Sequence, residues 1–213
     1  MMDSPTGPGI AHMNGSWVLD KEHSTGLEEV LKLQGIGWIT RKAILASSVT
    51  LKITQHSEVT ASSGDLVNSI TLEQVLSSGL RGGPEKRLLD WSKSKYNDTL
   101  FGMVIIQSQY VSGLKDSNMK TQPVFIAATP GIDAGNETFL SEPAFIAGDT
   151  KGLEENIEEA FLHDFIRSED SGWTAEQIWT VESVNTETVL TRRTVVAKGR
   201  QTQVARVLYR RSD

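Results

Sequence analysis

The residues of this chain best placed to do chemistry are mostly neutral. Gln74 follows Ile70 and Leu72 at a spacing of two, and Gln177 stands at the same spacing from Trp179. In a β-strand, residues two apart share a face, so each glutamine amide would project among apolar side chains. An amide in an apolar enclosure offers hydrogen bonds without burying a charge. Tyr110 and Tyr209 add phenolic hydroxyls, and Trp91 and Trp179 add flat apolar walls. Such a set suits a reaction driven by folding and polarising a substrate rather than by proton transfer. A neutral donor on a carbonyl, with the substrate held in its reactive fold, lowers a cycloaddition barrier. Gln74, Gln177 and Tyr209 are the candidate polarising residues. Trp38, Leu51, Leu72, Trp91, Tyr110, Trp179 and Arg206 are the candidate substrate contacts.

Other chemistries find little support. The 213 residues contain no cysteine, which removes thiolate catalysis, disulfides and thiolate-held metals. His12, His23, His56 and His163 are scattered without metal-ligand spacing. Arg81-Gly82-Gly83-Pro84 reads as a turn, not a phosphate loop, because no helix opening with Lys-Ser/Thr follows. No cofactor and no metal are therefore expected. Glu73 or Asp90 could serve as the base of an isomerase, a third reading. The net charge of -6 argues against nucleic acid as a partner. No run approaches the ~18 apolar residues of a membrane span, and no signal peptide is visible. The expectation is a cytoplasmic protein whose partner is an apolar small molecule, with its oligomeric state open.

The elements that must position these residues are mainly strands. Residues 1–13 read as a flexible arm, followed by one domain over 14–213. A strand covers 15–20. Ser24 is a plausible cap for a helix carrying Leu27, Val30 and Leu31, which Gly35 stops, and Trp38 to Leu45 fit a second. Alternation then begins with Val49, Leu51 and Ile53, returns at Ile70, Leu72 and Gln74, and again at Leu89 and Trp91. Ser62-Ser63-Gly64-Asp65 marks a turn. Leu100–Val111 reads as a long strand, Val124–Ala128 as a short one, and Ala134-Gly135-Asn136 as loop. Leu153–Arg167 reads as the strongest helix, with glutamates early, His163 and Arg167 late, and Ile157, Ala160, Phe161 and Phe165 as its stripe. Trp173–Val184, Thr188–Lys198 and Gln203–Arg211 form a late hairpin system. Arg192 and Arg193 are consecutive, so one of them must face inward. A buried arginine would need a partner, either a ligand anion or a carboxylate such as Glu73, Asp90 or Glu182; the alternative is an ion-pair ladder on the outside of the barrel.

Gly15-Ser16-Trp17, followed by Gly35-Ile36-Gly37-Trp38-Ile39-Thr40-Arg41-Lys42, resembles the opening of cytosolic fatty-acid-binding proteins. In that family a Gly-x-Trp strand leads into two short helices ending in Gly-x-Gly-aromatic-x-x-Arg-Lys. The resemblance covers about the first fifty-five residues. It implies a calycin fold: an antiparallel up-and-down β-barrel with a short helical lid near the N-terminus and, here, one later helix. The family closes with Arg-x-Tyr, whose side chains grip a carboxylate. This chain instead has Arg206-Val207-Leu208-Tyr209, which sets Arg206 and Tyr209 on opposite faces of a regular strand.

The whole chain also resembles lipocalin-like proteins of fungal secondary-metabolite pathways, through Leu89-Asp90-Trp91 and the 172–179 segment. That resemblance implies a pericyclase of the Diels–Alderase type, folding a linear polyene in the barrel. The alternative is a non-catalytic carrier of fatty acids or similar apolar molecules.

Overall fold

The computed structural model describes residues 9–59, 66–77, 82–149 and 156–212. The turn expected at 62–65 lies outside them. Among the described residues the chain opens with a 3₁₀ turn, Gly9–His12, and then β1 (Gly15–Thr25). The helices α1 (Leu27–Leu33) and α2 (Trp38–Ala46) follow. Next come β2 (Val49–Val59), β3 (Leu66–Leu76), β4 (Glu85–Leu88), β5 (Ser94–Asp98), β6 (Gly102–Lys115) and β7 (Thr121–Pro123). After α3 (Ala134–Leu140) the chain ends in β8 (Asn156–Ser168), β9 (Thr174–Val184), β10 (Glu187–Lys198) and β11 (Gln201–Ser212).

The strands form one antiparallel sheet in the order β4-β3-β2-β1-β11-β10-β9-β8-β6-β5, with β7 beside β6. This is an up-and-down meander, with the first strand bridging the second and the last. The sheet curls until its ends meet. Asp90 forms a bridge with Gln109, and the Trp91 N–H donates to the Ser108 carbonyl at 2.9 Å. Curling removes most of the exposed edge that an open sheet would present.

Alternation explains most of the strands. In β2, Val49, Leu51 and Ile53 are buried while Lys52 and Thr54 are exposed. In β9 the alternation disappears, and Ala175 through Glu182 are all buried. The cause is residues 116–149, which wrap the outside of β8–β10. Inside the barrel, Trp17, Leu51, Ile70, Leu162 and Trp179 form one core. Outside it, Val111, Ile157, Phe161, Ile178 and Val195 form a second core with Leu140, Ala144 and Ile146 of the wrap. The wrap is stitched down through backbone bonds from the Ala147 N–H to Val181 O (2.9 Å) and from the Ser183 N–H to Phe145 O (2.7 Å).

Several expectations need correction. Residues 9–13 are not a loose arm: Ile10 and Met13 are buried in the inner core, and Gly9 N–H donates to Ala147 O. Ser24 does not cap α1. The preceding residue is Gly26, and Ser24 Oγ donates to the Asp20 carbonyl instead. Leu89 and Trp91 lie past the end of β4, where the chain turns through a left-handed Trp91 (φ 62°) onto β6. Residues 124–128 form no strand, and α3 occupies the stretch expected to be loop.

The largest correction is β8. The residues expected to form a helix are a strand, because a bulge counterfeits the helical spacing. Val111 pairs with Phe161 and Gly113 with Ile157, so β8 gains two residues over β6 there. Glu159 takes up the excess in a left-handed conformation, φ 52°. Ile157, Ala160 and Phe161 thereby reach one face at intervals of three and one instead of two.

Candidate ligand-binding site

The barrel is packed solid at one end and hollow at the other. The closed end is plugged by the 3₁₀ turn: Gln55 Nε2 donates to Ile10 O at 3.0 Å, and Trp17 Nε1 donates to Met13 O at 2.7 Å. Toward the lid lies a cavity of about 420 Å³, within the range of small-molecule sites. Leu27, Val30, Leu31 and Ile44 of α1 and α2 roof it. Val49 and Leu76 form one wall, and Phe101, Val104, Ile166 and Trp173 the opposite one. The roof is tied closely to the barrel. Gly26 (φ 74°) sits so close to β11 that a Cβ there would lie 2.0 Å from the Val204 carbonyl oxygen.

The polar groups of the cavity fall into two sets. The first is an ion-paired network. Arg87, on β4, donates to Asp164 of β8 and to Glu85. Asp164 also accepts from Ser108 Oγ at 2.5 Å and Trp179 Nε1 at 2.8 Å, and it is fully buried. Burial alone would lower the Arg87 pKa, but the Asp164 and Glu85 carboxylates outweigh it and hold the guanidinium above its ordinary value. This network is internally satisfied and spans the seam between the two ends of the sheet.

The second set is not satisfied. Arg192 points into the cavity from β10, its guanidinium carbon 4.7 Å from the Trp179 ring centre and 5.9 Å from that of Tyr209. Its Nε is buried without a hydrogen-bond partner, and among the described residues it makes no ion pair. Gln177 is 8% exposed, lines the cavity, and has a buried Oε1 without a partner. Thr194 stands opposite Gln177 across β9 and β10, and Arg192 opposite Trp179, so Arg192 and Gln177 are diagonal neighbours on one face.

Of the residues singled out from sequence, Gln74, Gln177 and Tyr209 line the cavity, with Gln74 exposed at its mouth. The others do not. Leu51 and Leu72 are buried in the packed core. Trp179 is core, held by its bond to Asp164. Tyr110 faces inward at the closed end, where Gln55 donates to its hydroxyl, and burial pushes its pKa up. Trp38 is 64% exposed on the outer side of the lid. Arg206 faces outward and pairs with Glu182 at 2.8 Å, as the parity of β11 requires once Tyr209 faces in. Trp91 lies outside the barrel, its ring 4.7 Å from that of His163.

His163 is a residue sequence reasoning misplaced. It sits on the outer face of β8 beneath the wrap, fully buried, and its Nε2 faces the Glu176 carboxylate. Gln109 Nε2 lies 3.5 Å from its Nδ1. Glu176 also accepts the Thr129 N–H at 2.8 Å and the Thr129 hydroxyl at 2.7 Å. The pair is enclosed and does not line the cavity beneath the lid; through Thr129 it fastens the wrap to the barrel. Arg193 is likewise under the wrap, 3.4 Å from Glu142. Burial lowers its pKa, Glu182 and Glu142 oppose that, and Arg206 adds to it.

No protein-family model matches the chain, and no curated protein matches it. Solved structures similar in shape include a "REP1-NXSQ fatty acid transporter", 14% identical, with 96% of this chain and 98% of that one covered and a TM-score of 0.49. Another is the fluorescent protein UnaG, 15% identical, covering 93% and 96% at a TM-score of 0.47. A third is a fatty-acid-binding protein from Drosophila melanogaster brain tissue, 14% identical, covering 92% and 95% at a TM-score of 0.46. The cavity itself has to carry the functional reading.

Proposed function

We propose that the barrel binds one apolar small molecule beneath the α1–α2 lid and serves as an intracellular carrier for it. The observation that carries this reading is the cavity of about 420 Å³ with apolar walls and a helical roof. Burying apolar ligand surface there gains roughly 25 cal/mol per Å² removed from water. The polar groups facing the cavity suit recognition. No described cluster of His, Asp and Glu could hold a metal, and no helix of the described residues is long and apolar enough to cross a membrane.

The test is fluorescence titration of the purified protein with 1-anilinonaphthalene-8-sulfonate, followed by displacement with dodecanol and dodecanoic acid. Saturable one-to-one binding, reversed by either competitor, is expected. Failure to saturate with the dye, together with no direct calorimetric binding of dodecanol, would sink the proposal.

A second reading, stereoselective cyclisation of a bound linear polyene, is favoured by one observation. The neutral amides of Gln74 and Gln177 both face the cavity. A synthetic triene bearing a tethered enone separates the two readings. A cyclase changes its rate of closure and its ratio of stereoisomers relative to buffer, and a carrier changes neither.

A further inference from the structure

The two unsatisfied groups in the cavity specify more than an apolar ligand. Arg192 brings a permanent positive charge to an apolar enclosure, and among the described residues no carboxylate pairs with it. The acidic groups that share the cavity are engaged elsewhere. Glu85 pairs with Arg87, and Asp98 accepts the backbone N–H groups of Leu100 and Phe101 at 2.7 and 2.9 Å. A guanidinium that lines the cavity 4.7 Å from the Trp179 ring centre and 5.9 Å from that of Tyr209 can receive an oxyanion through two parallel hydrogen bonds. Gln177, one diagonal step away on the same face, presents an amide oxygen that accepts but finds no donor.

We infer that the ligand of this cavity is an apolar acid carrying a hydrogen-bond donor beside its carboxylate, with the oxyanion on Arg192 and the donor on Gln177 Oε1. Hydroxy acids and N-acyl amino acids share this chemistry, the first through O–H and the second through N–H. The inference rests on the reading of the cavity as a site for an apolar small molecule. A plain fatty acid satisfies Arg192 and leaves the Gln177 oxygen buried and unpaired. A fatty alcohol leaves the charge uncompensated. An unmade hydrogen bond to a buried polar group costs about ten- to a hundred-fold in affinity, and a site built around that bond discriminates accordingly. Gln177 is thus the residue that sets specificity, and Arg192 the one that sets the requirement for an acid.

Isothermal calorimetry with four probes of equal chain length tests this: dodecanol, dodecanoate, 3-hydroxydodecanoate and N-lauroylglycine. At least one of the two donor-bearing acids is expected to bind about ten-fold or more tightly than dodecanoate; which one does so identifies the source of the donor. Gln177→Leu should erase that preference, leaving the three acids bound alike. Arg192→Met should weaken all three acids by about ten-fold or more relative to dodecanol. Equal binding of the three acids to the unaltered protein overturns the inference, and that comparison needs no variant to fold. Acid binding unaffected in a folded Arg192→Met protein overturns it as well. If none of the four probes binds, the apolar-ligand reading itself has failed, an outcome distinct from binding without preference.

Discussion

Arg87 and Asp164 meet inside the barrel from strands 77 positions apart, and both are buried. A buried pair of this kind costs much desolvation, and breaking it by halves is worse than removing it. Arg87→Met alone should therefore destabilise the protein by about 3–5 kcal/mol, since Asp164 would be left charged and short of a donor. Arg87→Met with Asp164→Leu should recover a large part of that loss. Urea unfolding of the two variants measures the difference, and a double variant no better than the single would contradict the argument. The raised pKa of Arg87 gives a sign as well. Its contribution is fully present below the unfolded-state value and lost only as pH rises through the still higher folded value. No loss from this arginine is expected across neutral pH. At this scale the sequence was legible only in part. The parity of Arg206 and Tyr209 could be read directly from their spacing. The choice between Arg192 and Arg193 could not, because it depends on which face of β10 looks inward. The partners of Asp164 were unreadable, since the seam that brings β4 to β8 is a product of closure.

The wrap over β8–β10 is the element with most to test. Within residues 116–149, the loop at 128–129 is held by a buried acceptor, Glu176, on the amides of Ala128 and Thr129. Glu176→Ala should leave His163 and both amides without that acceptor. Hydrogen exchange at Ala128 and Thr129 should then accelerate far more than at the inner strands, a local opening distinct from global unfolding. Uniform acceleration across all strands would show that the wrap and barrel open only together. The lid gives the opposite expectation. Trp38→Ser removes a large side chain that is 64% exposed, so stability should change by no more than about 0.5 kcal/mol and dodecanol affinity should hold. A marked loss of affinity would place Trp38 in the ligand's path. The hairpins β9–β11 and the helices α1 and α2 were readable because alternation and glycine stops act locally. Strand β8 was not, because its bulge places apolar residues at helical intervals. The burial of β9 on both faces depends on a segment supplied from elsewhere in the chain.

For the molecule as a whole, binding in the cavity should be visible as added stability. A ligand at a hundred times its dissociation constant contributes about 2.7 kcal/mol, so the melting temperature should rise with ligand concentration, as differential scanning fluorimetry with 3-hydroxydodecanoate can check. An unchanged melting temperature under saturating conditions would mean the ligand has no preference for the folded barrel. One consequence of the fold reaches back to how the barrel assembles. His163 and Asp164 are adjacent, and they face opposite sides of β8, His163 toward Glu176 and Asp164 toward Arg87. A slip of one residue in either direction exchanges their environments. One slip would set Asp164 against Glu176, carboxylate on carboxylate, and the other would bring His163 to Arg87 and leave Glu176 facing Leu162. The bulge adds two residues, an even number, and so lengthens the strand without reversing it. The dipeptide thus works as a keyed joint: the strand seats in one phase, and a closure out by one residue in either direction meets a penalty on both surfaces at once.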